Sequence, residues 1–179
     1  MPVKAKFNLD DLFGKIYRLY EEEMKPAVIE AVRQACLETV ANAKSLDTYK
    51  DRTGNLRSSI GFAIYDGGEK VNGYFQAEPV PEGAVREVYS YKTKEGMKTG
   101  SREVKTGGDG EEGVKSGQEL ADGIAGGFPD GIVAVIVAGM DYALWVESNG
   151  LDVITGSCLG LKSLLEENLR NIGEAYKNG

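Results

Sequence analysis

A chain of 179 residues with 41% hydrophobic content, 24 glycines and a net charge of −7 has the size of one domain. It is long enough to bury roughly 70% of its unfolded surface. The acidic balance argues against a general nucleic-acid binder, which needs a basic face for phosphates, and the absence of histidine removes the commonest general base and metal ligand. No cofactor or metal site is expected.

Two cysteines far apart, Cys36 and Cys158, do not make a disulfide framework. The start of the chain has no apolar region followed by a small-residue cleavage site, and no apolar run approaches the ~20 residues that span a bilayer. A soluble protein made in a reducing cytoplasm is expected, with no membrane partner.

Asn8 is a candidate N-cap, with Asp10 and Asp11 in the first turn, where the helix dipole favours negative charge. Leu9, Leu12, Phe13, Ile16, Leu19 and Tyr20 then repeat at helical spacing. Pro26 lacks an N–H and biases Lys25 away from the α region, so a break or kink is expected near Glu23 to Pro26. A second helix carries Val28, Ala31, Val32, Ala35, Cys36, Thr39, Val40 and Ala43 on one stripe. Its alanines allow close approach to a sheet, and Cys36 reads as a reduced core residue.

Thr53-Gly54-Asn55-Leu56-Arg57-Ser58-Ser59-Ile60 follows. Ile60, Phe62 and Ile64 alternate with Ser59, Gly61 and Ala63, the period of a half-buried strand. Asp66-Gly67-Gly68 marks a hairpin turn, and Val71 to Ala77 supply the return strand.

Residues 79–130 are read as a partly mobile, glycine-rich insertion in a hairpin. Val85 to Tyr91 suits a further strand with Tyr89 and Tyr91 on one face. Lys92, Lys94, Lys98, Arg102 and Lys105 make a basic segment, a candidate partner-contact loop, and an acidic one follows from Thr106 to Asp122. Gly107-Gly108-Asp109-Gly110 has too little apolar material to pack and is expected to be mobile. Ser116 with Glu119 fits a capping box for a short helix over about Gln118 to Ala125.

The stretch Gly131 to Gly150 organises the rest. Ile132 to Ala138 is a β-branched apolar run suited to a central strand buried on both faces. Asp141 can cap a turn over Tyr142 to Glu147, which holds Trp145, the only tryptophan. A last helix is expected from about Leu159 to Tyr176, with Leu161, Leu164, Leu165, Leu169, Ile172 and Tyr176 on one face.

The chemical motifs are weak. Gly156-Ser157-Cys158-Leu159-Gly160 has the form of a nucleophile elbow around a cysteine, but no histidine can activate it. Gly108 to Gly113 has dinucleotide-loop spacing without a preceding strand, and its acids would repel a pyrophosphate. No residue is expected to be catalytic.

The long helix before Thr53 to Ile60, the apolar strand, and Tyr142-Ala143-Leu144-Trp145-Val146-Glu147 followed by glycine together resemble the tail-completion, or head–tail joining, proteins of long-tailed bacteriophages and prophages. The likeness covers roughly Val28 to Asp66 and Gly131 to Tyr176. The Pro-Phe pair common before the last helix of that family is missing here, and the segment from about Pro79 to Phe128 is longer than the family's.

The resemblance implies an α+β fold, a long helix across a small antiparallel sheet with a C-terminal helix beside it. It implies a non-enzymatic virion protein, made in the host bacterial cytoplasm, that assembles with itself as a ring, expected as a hexamer in the virion, with a monomer in isolation compatible with that assembly. Portal or head-closure and tail-tube proteins would be its neighbours. DNA would pass nearby without sequence-specific binding. Leu56, Arg57, Tyr142, Trp145 and Glu147 are the candidate self-association residues. The alternatives are another phage assembly adaptor (head closure or tail terminator), a thiol enzyme using Cys158, or a binding module.

Overall fold

The computed structural model describes residues 9–178, and the Asn8 cap lies outside them. The expected α+β architecture is present: a long N-terminal helix, small antiparallel sheets and a C-terminal helix.

The N-terminal helix begins as α1 (Leu9–Leu19), passes through a π-helical turn (Tyr20–Met24) and continues as α2 (Lys25–Ser45). The irregularity expected at Pro26 takes this form. The Lys25 N–H bonds back five residues to the Tyr20 carbonyl, and the wider turn absorbs the interruption just before the proline, which then sits in the first turn of α2. Lys25 closes the join with contacts to Asp66 at 2.6 Å and Glu21 at 3.0 Å. In α2, Ala31, Val32, Ala35, Cys36, Thr39, Val40 and Ala43 are all buried, the stripe that the 3.6-residue period marks.

The main sheet has the order β2-β1-β5, from β1 (Ile60–Asp66), β2 (Glu69–Tyr74) and β5 (Ile132–Ala138), and both pairings are antiparallel. Gly67 and Gly68 both take positive φ in the β1–β2 turn, the requirement of a primed hairpin turn.

The central strand is therefore β1, not the Ile132–Ala138 run, which forms an edge. β1 is buried along nearly its whole length rather than on one face. Ile60, Phe62 and Ile64 join the core under α2, while Ala63 and Tyr65 join a second core with Val135 and Val137. What covers the second face is α4 (Glu111–Ala125). Its residues Gly113, Gly117, Ala121 and Ala125 recur every four positions and are buried, so the helix backbone lies close on the sheet. A Cβ on Gly117 would stand 2.6 Å from the Ser59 carbonyl oxygen.

Residues expected as a mobile insertion are regular structure. β3 (Val80–Thr93) and β4 (Gly96–Gly108) pair in a long two-stranded hairpin, and α4 follows. The expected glycine loop is instead the tight join between them, where the Gly107 N–H donates to the Arg52 carbonyl at 2.9 Å. Ser116 opens no capping box. It lies inside α4 and its hydroxyl donates to the Gly139 carbonyl at 2.5 Å. Because β1 separates β2 from β5, the segment is a crossover between the two sheet edges.

After β5 come α5 (Ala143–Ser148), the short α6 (Thr155–Cys158) and α7 (Leu161–Asn178). α7 lies along α2, with the Asn168 side-chain amide donating to the Ala31 carbonyl at 3.2 Å. At its far end the Tyr176 hydroxyl donates to the Glu23 carbonyl at 2.9 Å.

Candidate assembly interface

The chain leaves α2 at Leu46 and loops back into α3 (Asn55–Ser58). The Asp51 carboxylate stitches this return, accepting from the Gly54 N–H at 2.9 Å and the Arg57 N–H at 2.7 Å. That geometry sends neighbouring side chains to different places. Leu56 enters the main core and is only 3% exposed. Arg57 turns onto the loop, donating to the Leu46 carbonyl at 2.9 Å, with its guanidinium 5.7 Å from the Tyr49 ring centre and 3.7 Å from Asp47. Leu56 is core rather than the surface contact expected of it, and half-buried Arg57 is tied to its own loop.

The aromatic turn divides in the same way. Ala143 and Val146, three residues apart on α5, point inward and are buried. Tyr142, Leu144 and Trp145 point outward at 41%, 78% and 67% exposure. The expected cap is not Asp141, because Tyr142 occupies that position without a side-chain bond.

Glu147 folds back. Its Oε1 accepts the N–H groups of Val153 (3.4 Å), Ile154 (3.3 Å) and Thr155 (3.0 Å), and its Oε2 accepts the Thr155 hydroxyl at 3.3 Å. Burial pushes this carboxyl up, but the Thr155 hydroxyl and the three N–H groups outweigh it and hold the group below the usual glutamate range. Glu147 thus anchors the loop that leads from α5 into α6.

These pieces enclose a cleft of about 720 Å³ between the 47–53 loop and α5. Tyr49, Leu56, Tyr142, Trp145, Val146 and Leu151 supply its apolar lining, with Asp47 and Asp51 among its polar residues. Arg52 and Glu87 close one side with a 2.6 Å ion pair that also ties the β3–β4 hairpin to the loop. Glu87 meets Arg102 as well at 3.2 Å. The Arg52 bond, opposed by burial and reinforced by Arg102, lowers the Glu87 carboxyl.

The basic segment is a hairpin, not a loop, and its charge is not one patch. Cross-strand partners share a face, so Lys98, opposite Tyr91, and Arg102, opposite Glu87, lie with Tyr89 and Tyr91 on one face. Lys92 and Lys105 lie on the other, and Lys94 is in the end turn. Lys98 is paired with Glu95 at 2.7 Å, and the Arg102 guanidinium is 5.9 Å from the Tyr89 ring centre.

Cys158 lies half-buried on α6. Burial, then the Glu147 and Asp152 carboxylates, push its thiol up, the opposite of what a nucleophilic thiolate needs.

Sequence reasoning missed two features of this region. The G-x-x-x-G-x-x-x-A-x-x-x-A stripe of α4 is present in Gly113, Gly117, Ala121 and Ala125, but a helix expected only over about Gln118 to Ala125 leaves its two glycines outside. The outward aim of Trp145 carried no sequence signal, since an isolated tryptophan suits core and surface alike. The chain matches no family model, and no curated protein or solved structure is significantly similar to it.

Proposed function

We propose that the protein is a non-enzymatic structural protein of a phage head–tail junction, acting as a self-associating ring in tail completion. The observation that carries this reading is the meeting of the two segments on which the family resemblance rests. Thr53 to Ile60 and Tyr142 to Glu147 are more than 80 residues apart in sequence, yet Leu56, Ile60, Ala143 and Val146 share one core cluster. They build the two walls of one cleft.

An exposed tryptophan, tyrosine and leucine around such a cleft fit recognition by surface complementarity, since aromatic anchors dominate protein interfaces. The partners in this reading are further copies of the chain, with portal or head-closure and tail-tube proteins on the two ring faces. The β3–β4 hairpin, exposed over most of both strands, offers Lys98 and Arg102 on one face, Lys92 and Lys105 on the other and Lys94 in its end turn to such neighbours. An acidic chain lines a passage for DNA without holding it.

Light scattering of the purified protein over a concentration series, with negative-stain images at the top of the range, tests the reading. A ring of fixed subunit number is the expected result. A strict monomer throughout, also after mixing with tail-tube and portal proteins of a tailed phage, would favour a binding module instead.

A further inference from the structure

β5 is an edge strand without the devices that normally blunt one. Its sequence, Ile132 to Ala138, holds no charge, no proline and no glycine, and its register against β1 runs without a bulge. Proteins usually guard such a row of open backbone groups with charged side chains, proline or a bulge, because another chain can pair with it.

The bonds to β1 fix which groups are open. The Gly67 N–H donates to the Gly131 carbonyl at 3.1 Å and the Gly139 N–H to the Ser59 carbonyl at 3.2 Å, one at each end of the strand. Bonded residues alternate in an antiparallel ladder, so Val133, Val135 and Val137 also face β1. Ile132, Ala134, Ile136 and Ala138 therefore turn their N–H and C=O groups outward, where the sheet ends.

The other edge shows the contrast. β2 opens with Glu69 and Lys70, and its pairing with β1 shifts register between Ile64 and Tyr65. Gly73 stands opposite Ala63, whose backbone groups face β5, so the Gly73 N–H points away from the sheet. The Asn72 side chain caps that N–H at 2.8 Å. One edge is closed by its own residues and the other is open.

We infer that β5 of one copy pairs with β5 of a second copy, antiparallel about a two-fold axis at Val135, so that two three-stranded sheets become one. This register sets Ile132 opposite Ala138 and Ala134 opposite Ile136 across the seam. Four such pairs, each exchanging two bonds, use every outward group on both edges. The side chains fit as well. On the α2 face each isoleucine meets an alanine, on the α4 face valine meets valine, and no charge falls in the seam.

α4 adds a second contact. Ser116, Leu120 and Ile124 share one flank of that helix at four-residue spacing. Ser116 reaches the Gly139 carbonyl just past β5, while Asp122 on the other flank meets Lys70 of β2 at 3.3 Å. Leu120 and Ile124, 42% and 41% exposed, thus lie on the side of the open edge, and the pairing brings them toward their equivalents. β2 is the poorer partner for β5, since Asn72 already holds its outward N–H. The contact is isologous and closed, because each copy has one such edge. It goes beyond the ring reading and does not rest on it; a ring that contains it has an even number of subunits.

Cross-linking and mass together test the pairing. In a Cys158→Ser background that retains buried Cys36, Val135→Cys places two thiols on the axis. Non-bonded antiparallel partners stand with Cα atoms about 4.5 Å apart, within disulfide reach, so mild oxidation is expected to give a covalent dimer in high yield. Ala134→Pro removes an outward N–H that the β1 ladder does not use. It should lower both the cross-link yield and the association constant roughly ten-fold or more, with an unchanged circular dichroism spectrum. Where the proline variant does not fold, Ala134→Lys, at an exposed position, is read in the same way.

A chain that stays monomeric by light scattering up to its solubility limit overturns the proposal. So does an oligomer that Ala134→Pro leaves intact and Val135→Cys does not cross-link; if that oligomer is a ring, the ring reading stands without the edge pairing. A dimer that grows no further keeps the pairing and counts against the ring.

Discussion

The Thr155 N–H donates to the Glu147 carboxylate at 3.0 Å, across a loop that joins α5 to α6. With the Val153 and Ile154 N–H groups converging on the same oxygen, one side chain satisfies the start of a short helix that has no cap of its own. Glu147→Ala should cost about 1–3 kcal/mol, because these donors lose a charged acceptor. For a chain of this length that lowers the melting temperature by roughly 2–4 °C per kcal/mol.

The same carboxyl sets a pH dependence. Its folded pKa is depressed by the Thr155 and backbone bonds against burial, so its contribution is present above the unfolded glutamate value of about 4.3. It is lost as pH falls through the lower folded value. The stability difference between wild type and Glu147→Gln, from urea titrations, should therefore be constant near neutrality and shrink below about pH 4. A gap unchanged at low pH would mean that the carboxylate charge is not what holds the loop.

Gly117 and Gly123 lie on one helix in opposite situations. A Cβ at Gly117 meets the Ser59 carbonyl oxygen at 2.6 Å and the Phe75 ring at 2.7 Å, whereas at Gly123 nothing lies within 4 Å. Gly117→Ala should destabilise by about 1–3 kcal/mol through overpacking. Gly123→Ala should stabilise by about 0.5–1 kcal/mol through helix propensity. Chemical denaturation of the two variants reads the contrast, and equal effects would disprove the close seating of α4 on the sheet.

The elements that a single periodicity defines were legible in the sequence. The α2 stripe and the turn at Gly67-Gly68 each carry their own local signal and are found where it places them, whereas the alternation of Ile60, Phe62 and Ile64 places the strand but not its burial, which extends to both faces. What was not legible depends on partners far away in the chain. Ile132 to Ala138 reads as a central strand because it is uniformly apolar, yet β1 takes the centre, since Ala63 packs with Ala121 and Ala125 of α4 on its second face and Gly61 leaves room there for the Phe75 ring. Small residues carry little hydrophobic signal, so a face built from them looks polar until the helix that covers it is known. The site shows the same limit. The motif Tyr142 to Glu147 draws attention as a block, but helical geometry distributes it among core, loop anchor and surface.

Leu56 and Trp145 line one cleft and should answer mutation differently. Leu56 is 3% exposed within the main core and Trp145 is 67% exposed. Leu56→Ala should cost about 2–5 kcal/mol. Trp145→Ala should leave stability within about 0.5 kcal/mol while abolishing ring assembly. Thermal melts paired with sedimentation of each variant make the comparison. A large loss of stability in Trp145→Ala would return that ring to the core and take the cleft out of the assembly argument.

The two thiols give a last check on packing. Burial lifts the Cys36 thiol to about 11, and burial with the Glu147 and Asp152 carboxylates raises that of Cys158. At neutral pH both therefore hold little thiolate, the form that reacts. A thiol-reactive probe should label Cys158 more slowly than a free cysteine, faster as pH rises, and should leave Cys36 untouched until the chain unfolds. Rapid labelling of Cys158 at pH 7 would show an activated thiol, contrary to the geometry of α6, and would reopen a chemical role for that residue.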